Sequence, residues 1–170
     1  MKQLVLSRDL RARVVHGGEL SVGVRKVARP IVTKRPMHLV MRSTLAVGSR
    51  SFLVARNAKW IQVTVSRLAR EHHVQVYEFA NSGNHLHLLL RAKTRDGFKS
   101  FLRALAGTVA MKIGGACKGR ALVRKFWDLP PFTRVVEWGR AFLVAREYVV
   151  QNTLEALGFV VRSRGHSPPK

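Results

Sequence analysis

Two pairs of residues carry a spacing that chemistry can use. The first is His85-Leu86-His87. In a β-strand alternate side chains share a face, so both imidazoles project together while Leu86, Leu88 and Leu90 point into the core. Two imidazole nitrogens converging on one point can hold a divalent ion. The plainer alternative is a pair of surface histidines on a half-exposed strand. The second pair is Tyr148 and Asn152, one helical turn apart, which places both side chains on one helix face. A tyrosine hydroxyl has an ordinary pKa of about 10, so to act as a nucleophile at neutral pH it needs a perturbing neighbour such as Arg146 or a bound metal. Otherwise it is a core or rim residue of an amphipathic helix.

Three further residues fall near these pairs. If Ser82-Gly83 forms a two-residue hairpin loop, Asn81 faces Asn84, Glu78 lies opposite His87, and Ala80 lies opposite His85. Glu78 then shares the histidine face as a metal ligand, as a partner orienting an imidazole, or as a surface salt-bridge acid. The last two are favoured, because a one-residue slip of register removes it. Gln151 is a candidate supporting contact beside Asn152. His38, on the strand expected next to the histidines, has either a supporting or a purely structural role. His16, His72, His73 and His166 receive no functional assignment.

The elements that must position these residues are legible as a pattern. PMHLVMRSTL (36–45) is rich in β-favouring residues and reads as a first strand. Residues 49–73 place Phe52, Ala55, Ile61, Val65 and Leu68 near a 3.6-residue period with arginines and lysines between them, an amphipathic basic helix. VQVYEFA (74–80) and HLHLLLR (85–91) flank Asn81-Ser82-Gly83-Asn84 and predict a β-hairpin. A second helix, with Asp96 as a cap, carries Phe98, Phe101, Leu102, Leu105 and Val109 to about Met111; GGACKGR (114–120) then breaks it as a mobile loop. Residues 122–137 read as extended but interrupted by Pro130-Pro131, and 140–157 as a last helix closed by Gly158.

The order β-α-β-β-α-β-α matches a ferredoxin-like α/β (α+β) sandwich: an antiparallel sheet with its first and third strands central, both helices on one face, and a C-terminal helix bearing the tyrosine. The other face is left free for a site. Residues 36–158 form the domain, between a basic N-terminal arm (1–35) and a basic tail (159–170).

Composition narrows the partners. The 170 residues hold 31 Lys and Arg against 9 Asp and Glu, a formal charge of +22, so a nucleic acid is the obvious counter-charge. The single cysteine, Cys117, excludes an internal disulfide and a Cys-rich zinc site. No apolar run approaches the ~18 residues of a membrane span, and the charged N-terminus does not read as a signal peptide. The expectation is a soluble cytoplasmic protein with no membrane partner.

Beyond its spacing, Asn84-His85-Leu86-His87-Leu88-Leu89-Leu90 resembles the NH-U-H-LLL signature of the HUH superfamily, U being a bulky apolar residue. Tyr148-Val149-Val150-Gln151-Asn152 resembles its single-tyrosine helix motif. The most similar group is the REP-associated tyrosine transposases, related to the transposases of single-stranded insertion sequences. Their helix motif often reads Tyr-Ile-x-x-Asn-Pro-Val-Arg-Ala-Gly. Tyr148, Val149, Asn152, Leu154 and Ala156 match or are conservative, whereas Thr153 and Glu155 replace Pro and Arg and Gly158 falls one place late. Phe126-Trp127 and Phe132-Thr133-Arg134-Val135 are similar to the segment before the family's tyrosine helix, and Ser82-Gly83 stands where Met-Pro is usual.

The resemblance spans about residues 36–158. It implies Mg²⁺ or Mn²⁺ bound by His85, His87 and Asn152, with Tyr148 as a nucleophile that forms a 5′-phosphotyrosine on single-stranded or hairpin DNA and releases a 3′-OH. A bacterial, nucleoid-associated location follows from such a substrate, and either a monomer or a homodimer is compatible with it. Arg42, Arg91, Lys93, Lys118, Arg120, Arg124 and Lys125 are then candidates for neutralising phosphates, and Trp127, Phe132 and Trp138 for stacking on bases, with core packing the alternative for each aromatic. Two other readings remain. One is a non-catalytic single-stranded nucleic-acid-binding module of the same fold. The other, a phosphoesterase with two His-x-Ser/Thr motifs, is disfavoured by the presence of a single such site at 85–87.

Overall fold

Period-two alternation builds the sheet. In the computed structural model, which describes residues 14–25, 27–115, 119 and 124–159, the strands are β1 (Val15–His16), β2 (Met37–Arg42), β3 (Val74–Asn81), β4 (His85–Ala92) and β5 (Phe132–Val135). They form one five-stranded sheet in the order β1-β5-β2-β4-β3, every neighbouring pair antiparallel. The order of β5, β2, β4 and β3 is the expected ferredoxin-like one, with β2 and β4 central. Three helices accompany it: α1 (Ala55–Glu71), α2 (Arg95–Gly114) and α3 (Arg140–Ala156).

One face of the sheet is closed by α1 and α2. Leu86, Leu88 and Leu90 of β4 and Met37, Leu39 and Met41 of β2 pack there against Ile61, Val65 and Leu68 of α1 and Phe98, Phe101, Leu105 and Val109 of α2. Each fully buried side chain of this kind stabilises the fold by about 1.5–3 kcal/mol. Helix α1 begins later than its pattern predicts, after a short 3₁₀ turn at Gly48–Arg50, so Phe52 enters the core from the loop and Ala55 is exposed. Helix α2 is capped by Thr94, whose hydroxyl accepts from Gly97 N at 3.0 Å, while Asp96 sits in the first turn and pairs with Lys99.

The opposite face carries a smaller core. Leu89 of β4, Ala80 of β3, Val136 and Val149 of α3 are buried together, with Tyr77, Phe142, Ala145 and Tyr148 packed against them. This cluster lays α3 across β3 and β4. An ion pair from Glu78 Oε1 to Arg146 Nε, 2.8 Å, fastens it.

The expected hairpin register is wrong by two residues. Ala80 faces His87 and Glu78 faces Leu89, with a bulge between Val76 and Glu78. Ser82 N donates to His85 O at 2.9 Å, so the turn is made by Gly83-Asn84 and not by Ser82-Gly83. Two interactions favour this turn. Gly83 adopts φ +85°, which glycine tolerates, and its carbonyl accepts from Phe52 N at 2.8 Å, while Asn81 Oδ1 accepts from Gly83 N at 3.1 Å.

Part of the basic arm is built into the sheet. Val15 and His16 pair with Arg134 and Thr133 of β5. Arg29 donates to Pro131 O at 2.8 Å and Thr133 Oγ1 at 2.6 Å, and Ile31 is buried in the main core. An apolar anchor and an arginine bonding to backbone order this stretch without a polyanion. Residues 1–13 and 160–170, and Cys117, Lys118 and Arg120 of the glycine-rich loop, lie outside the described residues.

Candidate active site

Cross-strand pairing sets which side chains share the open face. Val40 faces His87, Arg42 faces His85 and His38 faces Leu89, and on the far side of β2 His38 faces Arg134. Paired residues in antiparallel strands point to one side, so His38, Arg42, His85, His87 and Arg134 all lie on the face opposite Leu86, Leu88 and Leu90. Helix α3 then lowers Tyr148 onto them. Its ring meets His38 edge-on with centroids 5.8 Å apart and His87 edge-on at 6.1 Å. His87 is stacked between His38 at 5.7 Å and His85 at 5.9 Å.

The imidazoles are held as neutral bases. His87 is only 7% exposed, and burial, with His38 and His85 beside it, pushes its pKa down from 6.5 to about 3. Burial and the Arg134 charge push His38 down to about 4. His85 is lowered as well, by desolvation and then by Arg42, with Asp128 opposing. A neutral imidazole keeps a lone pair for a metal.

The donor types suit a divalent ion, and no contact joins Asn152 to an imidazole. His87 Nδ1 and His38 Nε2 are buried without a hydrogen-bond partner, a deficit that buried polar atoms rarely carry unless a water or an ion answers it. His85 Nδ1 donates to Asn84 Oδ1 at 2.6 Å, which fixes its tautomer and leaves the lone pair on Nε2. Asn152 Nδ2 donates to Tyr148 O at 2.8 Å, which turns the amide along the helix and leaves Oδ1, the ligating atom of an amide, out of that bond. Among the described residues no three of His, Cys, Asp and Glu form a metal-holding group, so any such centre depends on an amide or on water to complete it.

Several expected contacts are not made. Glu78 lies on the histidine face and takes one of its two favoured roles, a salt-bridge acid: its carboxylate bonds to Arg146 and not to an imidazole. Gln151 faces solvent and donates to Glu155 Oε1 at 3.1 Å, so it supports nothing in the site. Arg91 and Lys93 sit at the far end of β4 near Arg70 and His73; Arg91 is four residues from His87, about 13 Å along an extended strand. Arg124 and Lys125 are exposed just before Phe126. Trp127 packs against the core and donates its indole N–H to Ala106 O at 2.9 Å, which removes it as a base-stacking surface. Phe132 is half-buried, and Trp138, 47% exposed, leans on Tyr77 and Phe142.

Two residues on this face escape sequence reading. Arg134 is opposite His38 because β5 pairs with β2, and Asp128 reaches Arg42 from a segment outside the sheet, with Oδ2 3.4 Å from Arg42 Nε. The sequence marks Arg134 only as part of the Phe132-Thr133-Arg134-Val135 segment, with no role at the site, and does not single out Asp128.

No helix among the described residues is long and apolar enough to cross a membrane. No protein-family model and no curated protein sequence matches the chain. Among solved structures, a REP-associated tyrosine transposase bound to a REP hairpin is similar over 81% of this chain and 76% of its own, at 14% identity and a TM-score of 0.59. A protein from Deinococcus radiodurans R1 assigned as a transposase aligns over 76% of this chain and 98% of its own, at 17% identity and a TM-score of 0.46. With its five-stranded antiparallel sheet and three helices, the chain has the fold of a REP-associated tyrosine transposase.

Proposed function

We propose that the chain is a metal-dependent, single-tyrosine DNA strand transferase that nicks and rejoins single-stranded or hairpin DNA. One observation carries this reading. Tyr148 rests edge-on against His38 and His87 on the open sheet face, where two imidazoles hold buried, unpartnered nitrogens.

In this reading His85, His87 and Asn152 hold Mg²⁺ or Mn²⁺, which when bound supplies Lewis-acid polarisation of a phosphate. Tyr148 attacks phosphorus through its phenolic oxygen. The new bond is tyrosine O–P, the bond broken is P–O3′, the phenolic proton passes to solvent, and the departing 3′ oxygen takes one up as a free 3′-OH. Attack by another 3′-OH on the phosphotyrosine reverses the step and joins strands without an external energy source. The packing of α3 through Val149, and the Glu78–Arg146 pair, keep the tyrosine over the histidines between the two half-reactions. The neighbour solved with a REP hairpin, together with the +22 charge, supports DNA as the substrate.

The test is covalent capture. Incubated with labelled hairpin oligonucleotides and Mn²⁺, the protein should yield an SDS-stable adduct that Tyr148→Phe lacks. An adduct that survives in Tyr148→Phe rejects the nucleophile; tight binding with no adduct under varied metal and salt supports a binding module.

A further inference from the structure

We infer that Arg42 is a phosphate clamp beside His85 and that Asp128 is the residue that positions it. This inference rests on the strand-transfer reading above and deepens it by naming what holds the reacting phosphate.

Arg42 is directly opposite His85 in the β2–β4 register, on the face that carries Tyr148 and the histidines. Asp128 is fixed beside it from four directions. Its N–H donates to Arg42 O at 3.0 Å, Oδ1 accepts from Thr44 N at 2.8 Å and from Thr44 Oγ1 at 2.9 Å, and Oδ2 lies 3.4 Å from Arg42 Nε. The carboxylate side chain is 22% exposed and the arginine 51% exposed, so the acid is recessed and the guanidinium is presented. The ion pair uses Nε. The terminal nitrogens of Arg42 make no hydrogen bond among the described residues.

An acid in this place needs a reason. The chain has 9 acidic residues, and one of them stands beside the histidines on a face that would attract a polyanion. For electrostatic attraction alone Asp128 is counterproductive, because it cancels the charge of Arg42. For orientation it is useful. A guanidinium held at Nε loses much of its rotamer freedom before DNA arrives, and its remaining planar fork matches the two non-bridging oxygens of a phosphodiester. The clamp therefore trades affinity for placement of one phosphate beside the imidazoles and Tyr148.

That trade gives Asp128→Asn a signature that mere structural damage does not reproduce. The amide still accepts from Thr44 but no longer holds Arg42 as a charge. DNA affinity should rise or stay level, while the rate of adduct formation at saturating DNA falls at least about tenfold. Arg42→Lys keeps the charge and loses the fork; it should bind within about threefold of the parent and show a similar loss of rate.

The experiment pairs this rate measurement with a scan of neutral methylphosphonates, one linkage at a time, along a hairpin oligonucleotide selected by retention on the protein with Mn²⁺. The parent should show one dominant sensitive linkage for equilibrium binding, and that sensitivity should vanish in both Arg42→Lys and Asp128→Asn. A flat scan in the parent, or a sensitivity unchanged in the variants, overturns the clamp. The adduct reads the strand-transfer proposal separately. An adduct with a flat scan keeps the enzyme and rejects the clamp; a variant-sensitive linkage without an adduct keeps the clamp and rejects the enzyme.

Discussion

His87 and Tyr148 meet with ring centroids 6.1 Å apart and planes at 74°, the imidazole on the central strand β4 and the phenol on the last helix. A reaction at a tyrosine beside a histidine-held metal requires this approach. Tyr148→Phe keeps the ring and its packing against Leu89 and Val149 while deleting the hydroxyl. DNA binding should stay within about twofold and folding stability within about 0.5 kcal/mol, with adduct formation abolished on a denaturing gel. Loss of binding together with the adduct would mean that Tyr148 is a structural residue.

Metal dependence should follow the donor set. Imidazole nitrogens suit Mn²⁺ better than Mg²⁺, which prefers oxygen ligands and keeps its waters. Titrations of adduct rate should half-saturate at lower Mn²⁺ than Mg²⁺, EDTA should stop the reaction, and His87→Ala should reduce it by about 100-fold or more. Equal rates in EDTA and Mn²⁺ would remove the metal from the reaction.

Acid should destabilise the fold through the same histidines. His38 and His87 have folded pKa values of about 4 and about 3 against 6.5 unfolded. Below pH 6.5 the unfolded chain takes up protons that the fold refuses, so their contribution is intact above pH 6.5 and is lost as pH falls toward 4 and then 3. Because the slope reaches ~1.4 kcal/mol per pH unit for each only well below pH 6.5, the fold should lose about 3 kcal/mol between pH 6.5 and 5. Urea midpoints measured across that range should fall steeply, and less so in His38→Asn. A flat profile would show that both histidines titrate normally.

The Glu78–Arg146 pair should matter more to rate than to stability. It lies at the rim, with side chains 22% and 55% exposed, and exposed pairs contribute at most ~1 kcal/mol. Arg146 is two residues before Tyr148, so Glu78→Gln should leave the melting temperature within a few degrees while slowing adduct formation about threefold to tenfold. An unchanged rate would show that the apolar contacts of Val149 and Leu89 place the helix alone.

Gly17 tests how the arm is attached. It has φ +86°, and a Cβ there would stand 2.1 Å from Pro131 O. Gly17→Ala must therefore move β1 off β5, at a cost of at least ~1 kcal/mol. Protease cleavage at Arg25 or Arg29 should become fast while residues 36–115 stay resistant. Resistance equal to the parent's would show that Arg29 and Ile31 hold the segment unaided.

Alternation and helical period by themselves determined β2 to β5, the three helices and their order, because each depends on local spacing: Leu86, Leu88 and Leu90 of β4 must face one way and His85, His87 and Leu89 the other, whatever they pack against. The resemblance of the two motifs named the same fold that the REP-associated tyrosine transposase shows. Tertiary structure decided what depends on pairing between distant segments. The Gly83-Asn84 turn moved Glu78 from His87 to Leu89 and left it for Arg146, since Phe52, far away in the chain, bonds to the turn. Strand order put Arg134 against His38 and Arg42 against His85. Asp128 reached Arg42 through backbone and carboxylate bonds across the chain, and a lone acid among loop prolines and aromatics carries no periodic signal that could announce it.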